Sequence, residues 1–282
     1  MRWTPGGRSS NLEDRRASGG GLGGGGLGGR GLGIGGTVVV LALSLIFGRN
    51  LFSDLGVAPA GVSAASAPMT PADSAAEEQE VQFVSFVLDD VQNTWATILP
   101  KAGVAFHPAK LVLFRNSTDS GCGQAQSAMG PFYCPVDEKV YLDLGFFDEL
   151  RQRFAANGDF AQAYVMAHEL GHHVQHLIGT DSRVRQAQES NPSEGNALSV
   201  RLELQADCYA GVWANSTQQR RLLEQGDVDE ALTAASAVGD DRIQQQQTGR
   251  VNVDSFTHGS AAQRSASFKR GLESGDPRSC TL

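Results

Sequence analysis

Hydrophobic and polar residues follow patterns that divide the chain into an irregular N-terminal part and a folded C-terminal part. From residue 78 to Pro100, apolar positions recur at helical spacing, which predicts an amphipathic helix. Residues 110–114 and 140–144 have the apolar runs and the alternation that are typical of short strands. Further helices are predicted over residues 146–154, 159–178, 194–215, 227–246 and 260–274. The pattern predicts an α+β domain, mainly helical with a small sheet.

The first 77 residues lack the periodicity of a packed domain. Residues 1–30 are expected to form a disordered cytoplasmic segment, because glycine, abundant from residue 19 onward, carries high backbone entropy and buries little surface. Residues 51–77 are rich in Ala, Ser and Pro, which predicts an extended linker. The folded domain is therefore expected over residues 78–282, and about 200 residues suffice for one stable core.

Residues 31–50 contain an apolar run that predicts a single transmembrane helix. Residues 31–48 carry no charge, and as a helix they span about 27 Å, close to the hydrocarbon thickness of a bilayer at about 30 Å. The arginines before this run predict, by the positive-inside rule, a cytoplasmic N-terminus and an extracytoplasmic domain at a bacterial cell membrane. A cleaved secretory signal, which also exports the domain, and a buried core helix are the alternatives.

Composition and charge exclude several classes of protein. With 40% hydrophobic residues in 282, the chain is not wholly disordered, and with one membrane-length apolar stretch it is not a polytopic membrane protein. Residues 1–50 carry a net charge of +4, so the net charge of −8 belongs to a strongly acidic body. An acidic body argues against a nucleic-acid partner, which requires a basic surface.

The four cysteines, Cys122, Cys134, Cys208 and Cys280, indicate an oxidising compartment. They contain no C-x-x-C pair, so a four-thiolate zinc site is not expected. An even number in an exported chain favours two disulfides over buried free thiols, and three pairings are possible. Pairing of the first two would close a loop that contains Gly and Pro, and pairing of the last two would tie the C-terminal tail to a helix.

The strongest chemical signal is the sequence His168-Glu169-Leu170-Gly171-His172. Two histidines four residues apart lie on one face of a helix, so both imidazoles can reach one metal ion. Glu169 follows the first histidine, where its carboxylate can act as general base towards a zinc-activated water. A solvated, histidine-rich helix face is the alternative, but the apolar residues around the motif predict a buried helix.

A catalytic zinc site needs a third protein ligand and an open position for water. The metzincin pattern is excluded because Gln175 stands where that pattern has glycine, and His173 and His176 are interpreted as structural histidines. Glu203, on the next long helix, is the predicted third ligand, with an exposed helix carboxylate as the alternative. Asp207, one turn later, is predicted to accept a hydrogen bond from the far nitrogen of a ligand histidine.

Peptide hydrolysis also needs a donor for the oxyanion of the tetrahedral intermediate. His258 is the candidate, against the alternative that it only orders the loop before the last helix, and Arg264 is the second choice. A peptide substrate is expected to pair with a sheet edge, for which the strand at residues 140–144 is the candidate.

Together these segments resemble the neutral zinc metallopeptidase family of YpfJ-like bacterial membrane proteins over nearly the whole chain. The resemblance is carried by Met1-Arg2-Trp3, Ser10-Asn11, Glu13-Asp14-Arg15-Arg16, and residues 130–135, 140–143, 168–173, 203–213, 256–259, 263–264 and 275–277. It implies a gluzincin-like zincin fold, a Zn²⁺ ion on His168, His172 and Glu203, and Glu169 as catalytic acid/base. The chain departs from the family pattern at Ser267, where a Trp is expected, and in its short tail.

The sequence therefore predicts a membrane-anchored zinc peptidase that acts on a peptide or protein substrate. Two hypotheses from other classes are kept beside it. The first is a zinc-stabilised extracytoplasmic binding or scaffold protein that has the site but does not turn over peptides. The second is a non-enzymatic, glycine-rich membrane assembly factor whose N-terminal region carries the function.

Overall fold

The computed structural model of the chain describes residues 1–18, 71–154 and 158–282. In these ranges the secondary structure is mainly helical with a small mixed sheet, so the predicted α+β class is confirmed. The predicted transmembrane segment at residues 31–50 lies outside the described residues. Among the helices that the structure does describe, none combines the length and the apolar character needed to cross a membrane.

The strands form one mixed sheet and one hairpin. The six strands in the described residues are β1 (Leu12–Asp14), β2 (Lys110–Phe114), β3 (Ser117–Ser120), β4 (Gly123–Gln126), β5 (Phe132–Cys134) and β6 (Lys139–Asp143). The sheet has the order β1-β2-β6-β5, in which β1, β2 and β6 are parallel and β5 is antiparallel to β6. Because β6 is paired on both sides, the prediction that residues 140–144 offer a sheet edge to substrate is wrong. The edge strand next to β6 is β5.

Eight α-helices surround the sheet in the described part of the chain. They are α1 (Pro71–Ile98), α2 (Gly145–Phe154), α3 (Asp159–Leu177), α4 (Thr180–Ser190), α5 (Gly195–Gln219), α6 (Asp227–Ala237), α7 (Asp240–Thr248) and α8 (Ala261–Ser274). The helix predicted over residues 227–246 is two helices, because the chain turns at Gly239, where a Cβ atom would lie 2.3 Å from the nitrogen of Ala261. Helix α4 was not predicted, since its polar sequence buries little more than Thr180 and Val184.

The core lies between α1, α3, α5 and the sheet. Helix α1 buries an apolar stripe that includes Val84, Leu88 and Trp95, and the Trp95 ring contacts Tyr209 of α5 at 5.1 Å. Helix α3 is buried along most of its length because α1, α5 and α6 all pack against it. A helix covered on every side carries its polar side chains into the interior, where they need specific partners.

Residues 1–18 pack against the domain. Strand β1 pairs with β2, Met1 is buried, and the Trp3 ring lies 5.4 Å from Phe83 of α1. The prediction of disorder over residues 1–30 is therefore wrong for residues 1–18. The linker predicted over residues 51–77 is likewise helical from Pro71 onward. A three-residue strand has too little periodicity to be recognised from sequence, because its order comes from contacts distant in the chain.

Both disulfides expected from the cysteine count are present. Cys122 pairs with Cys134 and closes the loop that contains β4, and Cys208 pairs with Cys280. The second bond joins α5 to the C-terminal tail, and the carbonyl oxygen of Cys280 accepts a hydrogen bond from the Gln205 side chain at 2.8 Å. Of the three possible pairings, the structure contains the one that closes the loop and ties the tail.

Helices α5 and α8 cross with their backbones in contact at two glycines. A Cβ atom at Gly271 would lie 1.9 Å from the carbonyl oxygen of Cys208, and one at Gly211 would lie 2.1 Å from that of Phe268. We expect Gly271→Ala to lower the free energy of unfolding by about 1–3 kcal/mol or more, because the helices must separate. Urea unfolding measures this change.

Gly195→Ala is the matched control for the glycine crossing. Gly195 begins α5 with helical backbone angles, and a Cβ atom there meets open space. We expect this variant to keep the wild-type stability or to gain up to about 1 kcal/mol, since alanine restricts the unfolded chain. Equal destabilisation by both variants would contradict the close-packed crossing.

Candidate metal centre

Helices α3 and α5 carry the candidate ligands and approach each other closely at one glycine. A Cβ atom at Gly171 would lie 3.0 Å from the carbonyl oxygen of Ala206. This absence of a side chain lets the α3 turn that holds His168 and His172 face the α5 turn that holds Glu203 and Asp207. Gly171 therefore has a packing role inside the histidine motif, between the two histidines.

The structure brings His168, His172 and Glu203 together. One ligand atom from each residue lies within 4.8 Å of the other two. His168 Nε2 is 3.1 Å from one carboxylate oxygen of Glu203, and His172 Nε2 is 3.5 Å from the other oxygen. Both imidazoles thus direct the same type of nitrogen towards one carboxylate, which is the convergence that a shared cation requires.

Each histidine is oriented by a hydrogen bond at its other nitrogen. His168 Nδ1 donates to Asp207 at 2.9 Å, as predicted for the far nitrogen of a ligand histidine. His172 Nδ1 donates to the side-chain oxygen of Gln175 at 2.8 Å, and the Gln175 amide donates to the carbonyl oxygen of Leu202 at 2.7 Å. These bonds leave both Nε2 atoms as the metal-facing nitrogens.

Asp207 is the centre of a buried polar network. Its two oxygens accept hydrogen bonds from the Arg264 guanidinium at 2.8 and 2.9 Å, and it also accepts one from the Tyr164 hydroxyl. Arg264 has only 4% of its side chain exposed. Besides pairing with Asp207, one of its guanidinium nitrogens lies 3.4 Å from His168 Nε2. The structure therefore places the second-choice oxyanion donor beside the ligands, where Asp207 holds it.

Electrostatics keep the two carboxylates of this cluster ionised. Burial raises the pKa of Asp207, but Arg264 and His168 outweigh it and lower that pKa to about 2. Burial likewise raises the pKa of Glu203, but His172 and His168 lower it well below its usual range. Glu203 and Asp207 are therefore carboxylates at neutral pH.

The donor set fits zinc. Two imidazole nitrogens and one carboxylate match the ligands that Zn²⁺ takes in catalytic sites with three protein ligands. The side chains of His172 and Glu203 are 17% and 18% exposed, so the cluster opens to solvent on one side while His168 and Asp207 close it on the other. Three converging donors with one open direction leave room for a water or a substrate atom.

Glu169 lies beside the cluster on the same buried helix. Burial raises the pKa of its carboxyl group, the nearby Glu203 charge adds to this effect, and His168 and His172 oppose it. A carboxylate with a raised pKa accepts a proton more readily than an ordinary surface glutamate. Glu169 is therefore a buried carboxyl group on the turn of α3 that carries both histidines, and its pKa is raised.

His258 lies in the loop before α8 and is held by Asp240. One oxygen of Asp240 accepts hydrogen bonds from the backbone amides of Thr257, His258 and Gly259, at 2.7, 2.7 and 3.0 Å. The other oxygen is 3.2 Å from His258 Nδ1. Burial raises the pKa of Glu203, and His172, His168 and, with a smaller effect, His258 lower it.

His173 and His176 face away from the ligands and contact the β5 side of the domain. His173 Nε2 donates to the carbonyl oxygen of His107 at 2.8 Å, and its Nδ1 accepts from the Tyr133 hydroxyl at 3.0 Å. His176 Nδ1 is 2.8 Å from Asp181. Both histidines therefore join α3 to neighbouring segments, and neither belongs to the candidate metal cluster.

Three contributors to the site were missed by sequence reasoning. Gln175 was used only to exclude the metzincin pattern, although its place three residues after His172 gives the side chain reach to the ligand. Tyr164, one helical turn before His168, counts in the sequence only as one of the apolar residues around the motif, and Asp240 is not singled out. The i, i+3 and i, i+4 spacing on α3 was a usable signal for the first two, whereas Asp240 is distant in sequence from His258.

The metal-free site should be sensitive to alkaline pH. Burial lowers the pKa of His168, but Asp207 and Glu203 outweigh it and raise that pKa to about 10, above its usual value near 6.5. A group with a raised native pKa contributes stability below the unfolded pKa and loses it as the pH rises through the native one. We therefore expect the metal-free protein to lose stability between about pH 6.5 and pH 10.

Urea unfolding of chelator-treated and zinc-loaded protein across this pH range measures the effect. The zinc-loaded sample is the control: its metal-facing nitrogens carry no proton to lose, so its stability should fall less steeply. A metal-free protein whose stability is flat or rises with pH would contradict the proton-bound pairing of His168 with its carboxylates.

Known proteins resemble this chain, and one family model matches its full length. A family model described as "Putative neutral zinc metallopeptidase" matches residues 1–282. The chain is 48% identical to "Uncharacterized protein YpfJ" of Escherichia coli (strain K12) over 281 residues, which cover 99% of this chain and 98% of that protein. It is 45% identical to "Uncharacterized protein Rv2575" of Mycobacterium tuberculosis (strain ATCC 25618 / H37Rv) over 203 residues, 68% of this chain and 67% of that protein. No solved structure matches.

Proposed function

The chain belongs to the neutral zinc metallopeptidase family, and on this premise we propose that it is a zinc-dependent peptidase that hydrolyses peptide bonds. The observation that carries the proposal is the convergence of His168, His172 and Glu203, with ligand atoms within 4.8 Å of one another. Glu169 lies between the two histidines on the same buried helix. Two histidines on one helix and a glutamate on a later helix are the ligand arrangement of gluzincins, so a gluzincin-like site is part of the proposal.

In this proposal His168, His172 and Glu203 hold the zinc ion, and Asp207 and Gln175 keep the two imidazoles turned towards it. Bound zinc supplies Lewis-acid chemistry that acidifies water and polarises a carbonyl group. Glu169 takes the proton of the attacking water and later delivers it to the leaving amine. Its raised pKa favours this role, since a base works best with a proton affinity near the working pH.

His258 is proposed to donate a hydrogen bond to the developing oxyanion. Asp240 engages the Nδ1 side of the ring, so Nε2 is the nitrogen proposed to donate to the oxyanion. We expect His258→Gln to lower kcat about 100-fold or more with little change in KM or zinc content, since oxyanion donors act in the transition state. Steady-state kinetics on a fluorogenic peptide measures both constants.

His176→Gln is the matched control for the oxyanion assignment. His176 is also a partly exposed histidine with a carboxylate partner, Asp181, but it lies outside the cluster. Its activity should stay close to wild type. An equal loss in both variants, or loss of zinc from His258→Gln, would show that His258 has only a structural role.

We further propose that a peptide substrate pairs with the free edge of β5. This strand is the antiparallel edge of the sheet, and its Tyr133 is joined to α3 through His173, immediately after the ligand His172. Main-chain hydrogen bonds to an edge strand bind a peptide without regard to most of its side chains. The substrate class proposed is accordingly an extended segment of a peptide or protein.

The domain is proposed to act outside the cytoplasm. Two disulfides within one domain are typical of proteins in oxidising compartments. One of them joins α5, which carries Glu203, to the chain's last residues, so the same oxidation supports the helix of the third ligand.

The test is to purify the full chain, measure its zinc content and follow its hydrolysis of casein. A stoichiometric zinc ion with zinc-dependent cleavage supports the peptidase. Stoichiometric zinc without hydrolysis of casein or of a peptide library would favour a zinc-stabilised binding protein instead.

A further inference from the structure

We infer that residues 1–18 are an integral part of the C-terminal domain and that both lie on the same side of the membrane. This inference is independent of the peptidase proposal. It replaces the predicted arrangement in which residues 31–50 cross the membrane once and leave the N-terminus in the cytoplasm. It rests on the contacts that the first eighteen residues make with the C-terminal domain.

The first kind of contact is main-chain pairing. Strand β1 is parallel to β2 with Leu12 opposite Leu111, and its flanking residues extend the pairing. The Leu111 amide donates to the carbonyl oxygen of Asn11, and the Arg15 amide donates to that of Leu113, both at 2.8 Å. Without β1, the buried strand β2 would leave these groups unpaired, which is costly in a folded domain.

The second kind of contact is the burial of apolar side chains of the segment, and a main-chain hydrogen bond near α6 accompanies it. Met1 is 5% exposed, and the Trp3 ring contacts Phe83 and Phe86 of α1 at 5.4 and 6.3 Å. The Arg2 amide donates to the carbonyl oxygen of Leu222 at 2.7 Å. The segment therefore reaches from the sheet edge across α1 to the loop before α6.

The third kind of contact uses an acidic cluster formed by Asp159, Asp227 and Glu230. Their carboxylates lie within 4.8 Å of one another, a grouping that would suit a cation. The amino group of Met1 donates to Asp159 and, at 3.3 Å, to Asp227. Two of the three carboxylates are thus paired with residues 1–18, and Glu230 accepts a hydrogen bond from the Phe160 amide at 3.1 Å.

The charges that suggested a cytoplasmic N-terminus are also engaged with carboxylates. Arg8 pairs with Glu78 of α1, and Arg16 pairs with Glu77. The remaining two described arginines of the segment have carboxylate partners as well, Arg2 with Glu224 and Arg15 with Glu13. Surface ion pairs stabilise a fold by only about 0–1 kcal/mol each. They nevertheless engage four of the five arginines on which the positive-inside rule relies here, and the fifth, Arg30, lies outside the described residues.

Two segments in such contact cannot be separated by a bilayer. Hydrogen bonds join atoms about 3 Å apart, whereas a hydrocarbon core is about 30 Å thick. Residues 1–18 and the domain must therefore leave the same face of a membrane, whatever path residues 19–70 take between them. Given the extracytoplasmic location proposed above for the domain, the N-terminal segment is outside as well.

The test labels single cysteines introduced into the full-length protein. Its four natural cysteines are all in disulfides. Thr4→Cys reports on the N-terminal segment, and Ser193→Cys, in the loop before α5, is the matched control; both positions are exposed. Intact and permeabilised bacterial cells are treated with a membrane-impermeant maleimide, and the labelled fractions are compared.

We expect the ratio of labelling in intact cells to labelling in permeabilised cells to agree within about twofold between the two positions. If Ser193→Cys is labelled in intact cells and Thr4→Cys only after permeabilisation, or the reverse, the inference is overturned. The labelling ratio does not depend on whether the protein hydrolyses peptides, so this test and the test of function can fail separately.

A second variant tests the docking itself. The Ser9 hydroxyl donates to Asp89 of α1 at 2.6 Å, so Ser9→Cys combined with Asp89→Cys places two thiols in contact. We expect mass spectrometry of the oxidised full-length protein to find a peptide pair joined through positions 9 and 89. Ser9→Cys alone is the control. Absence of the joined peptides in a folded, oxidised double variant would overturn the docking.

Discussion

Glu169→Gln is expected to abolish detectable hydrolysis of casein while the protein keeps its zinc. Glutamine has the shape of glutamate but cannot accept the proton of the attacking water. General-base catalysis typically contributes about 100-fold to 10,000-fold in rate. Since Glu169 lies beside the ligands without belonging to the three-residue cluster, its neutralisation should leave zinc content near that of the wild type.

The measurement combines the rate of casein cleavage with the zinc content of each purified variant. Glu194→Gln is the matched control, because Glu194 is an exposed glutamate in the turn before α5. It should retain full activity. A Glu169→Gln variant that cleaves casein at the wild-type rate would remove the proposed general base and with it the mechanism.

Glu203→Ala is expected to lose zinc as well as activity. The substitution removes one of three protein ligands and leaves His168 and His172 without the carboxylate that faces both of them. Loss of an outer hydrogen-bonding partner commonly weakens metal binding about 10- to 100-fold, and loss of a ligand should exceed that range. Competition with a chromophoric chelator measures the zinc affinity.

Asp207→Asn is expected to weaken zinc binding less than Glu203→Ala, because Asp207 orients the ligand His168 and is not itself a ligand. The asparagine can still contact His168 but loses the negative charge that pairs with Arg264, so zinc affinity should fall within the 10- to 100-fold range. Glu194→Ala, in the exposed turn, should bind zinc like the wild type.

Unchanged zinc affinity in Glu203→Ala would contradict the assignment of the third ligand.

Local sequence pattern predicted the parts of the fold that bury regular faces. The helix ending near Pro100, the strand at residues 110–114 and the helix from Asp159 onward follow from hydrophobic periodicity. Helix α4 and strands β1, β3, β4 and β5 do not, because their sequences are short or polar. Their conformations are set by contacts with segments far away in the chain.

Those features of the candidate site that follow from residue spacing along a single helix could be predicted from the sequence. The spacing of His168 and His172 fixes their common face, and Glu203 and Asp207 follow the same rule on α5. How the two helices meet was not predictable, since that depends on Gly171 against Ala206. The buried position of Arg264 also depends on the three-dimensional path of α8, which no local pattern encodes.

The central claim is that one zinc ion binds between His168, His172 and Glu203. Anomalous diffraction at the zinc absorption edge, on crystals of the zinc-loaded protein, tests it most directly. We predict a single strong peak about 2.0–2.2 Å from His168 Nε2, His172 Nε2 and a Glu203 carboxylate oxygen. No peak there in zinc-loaded crystals, or a peak held by other residues with Glu203 turned away, would contradict the claim.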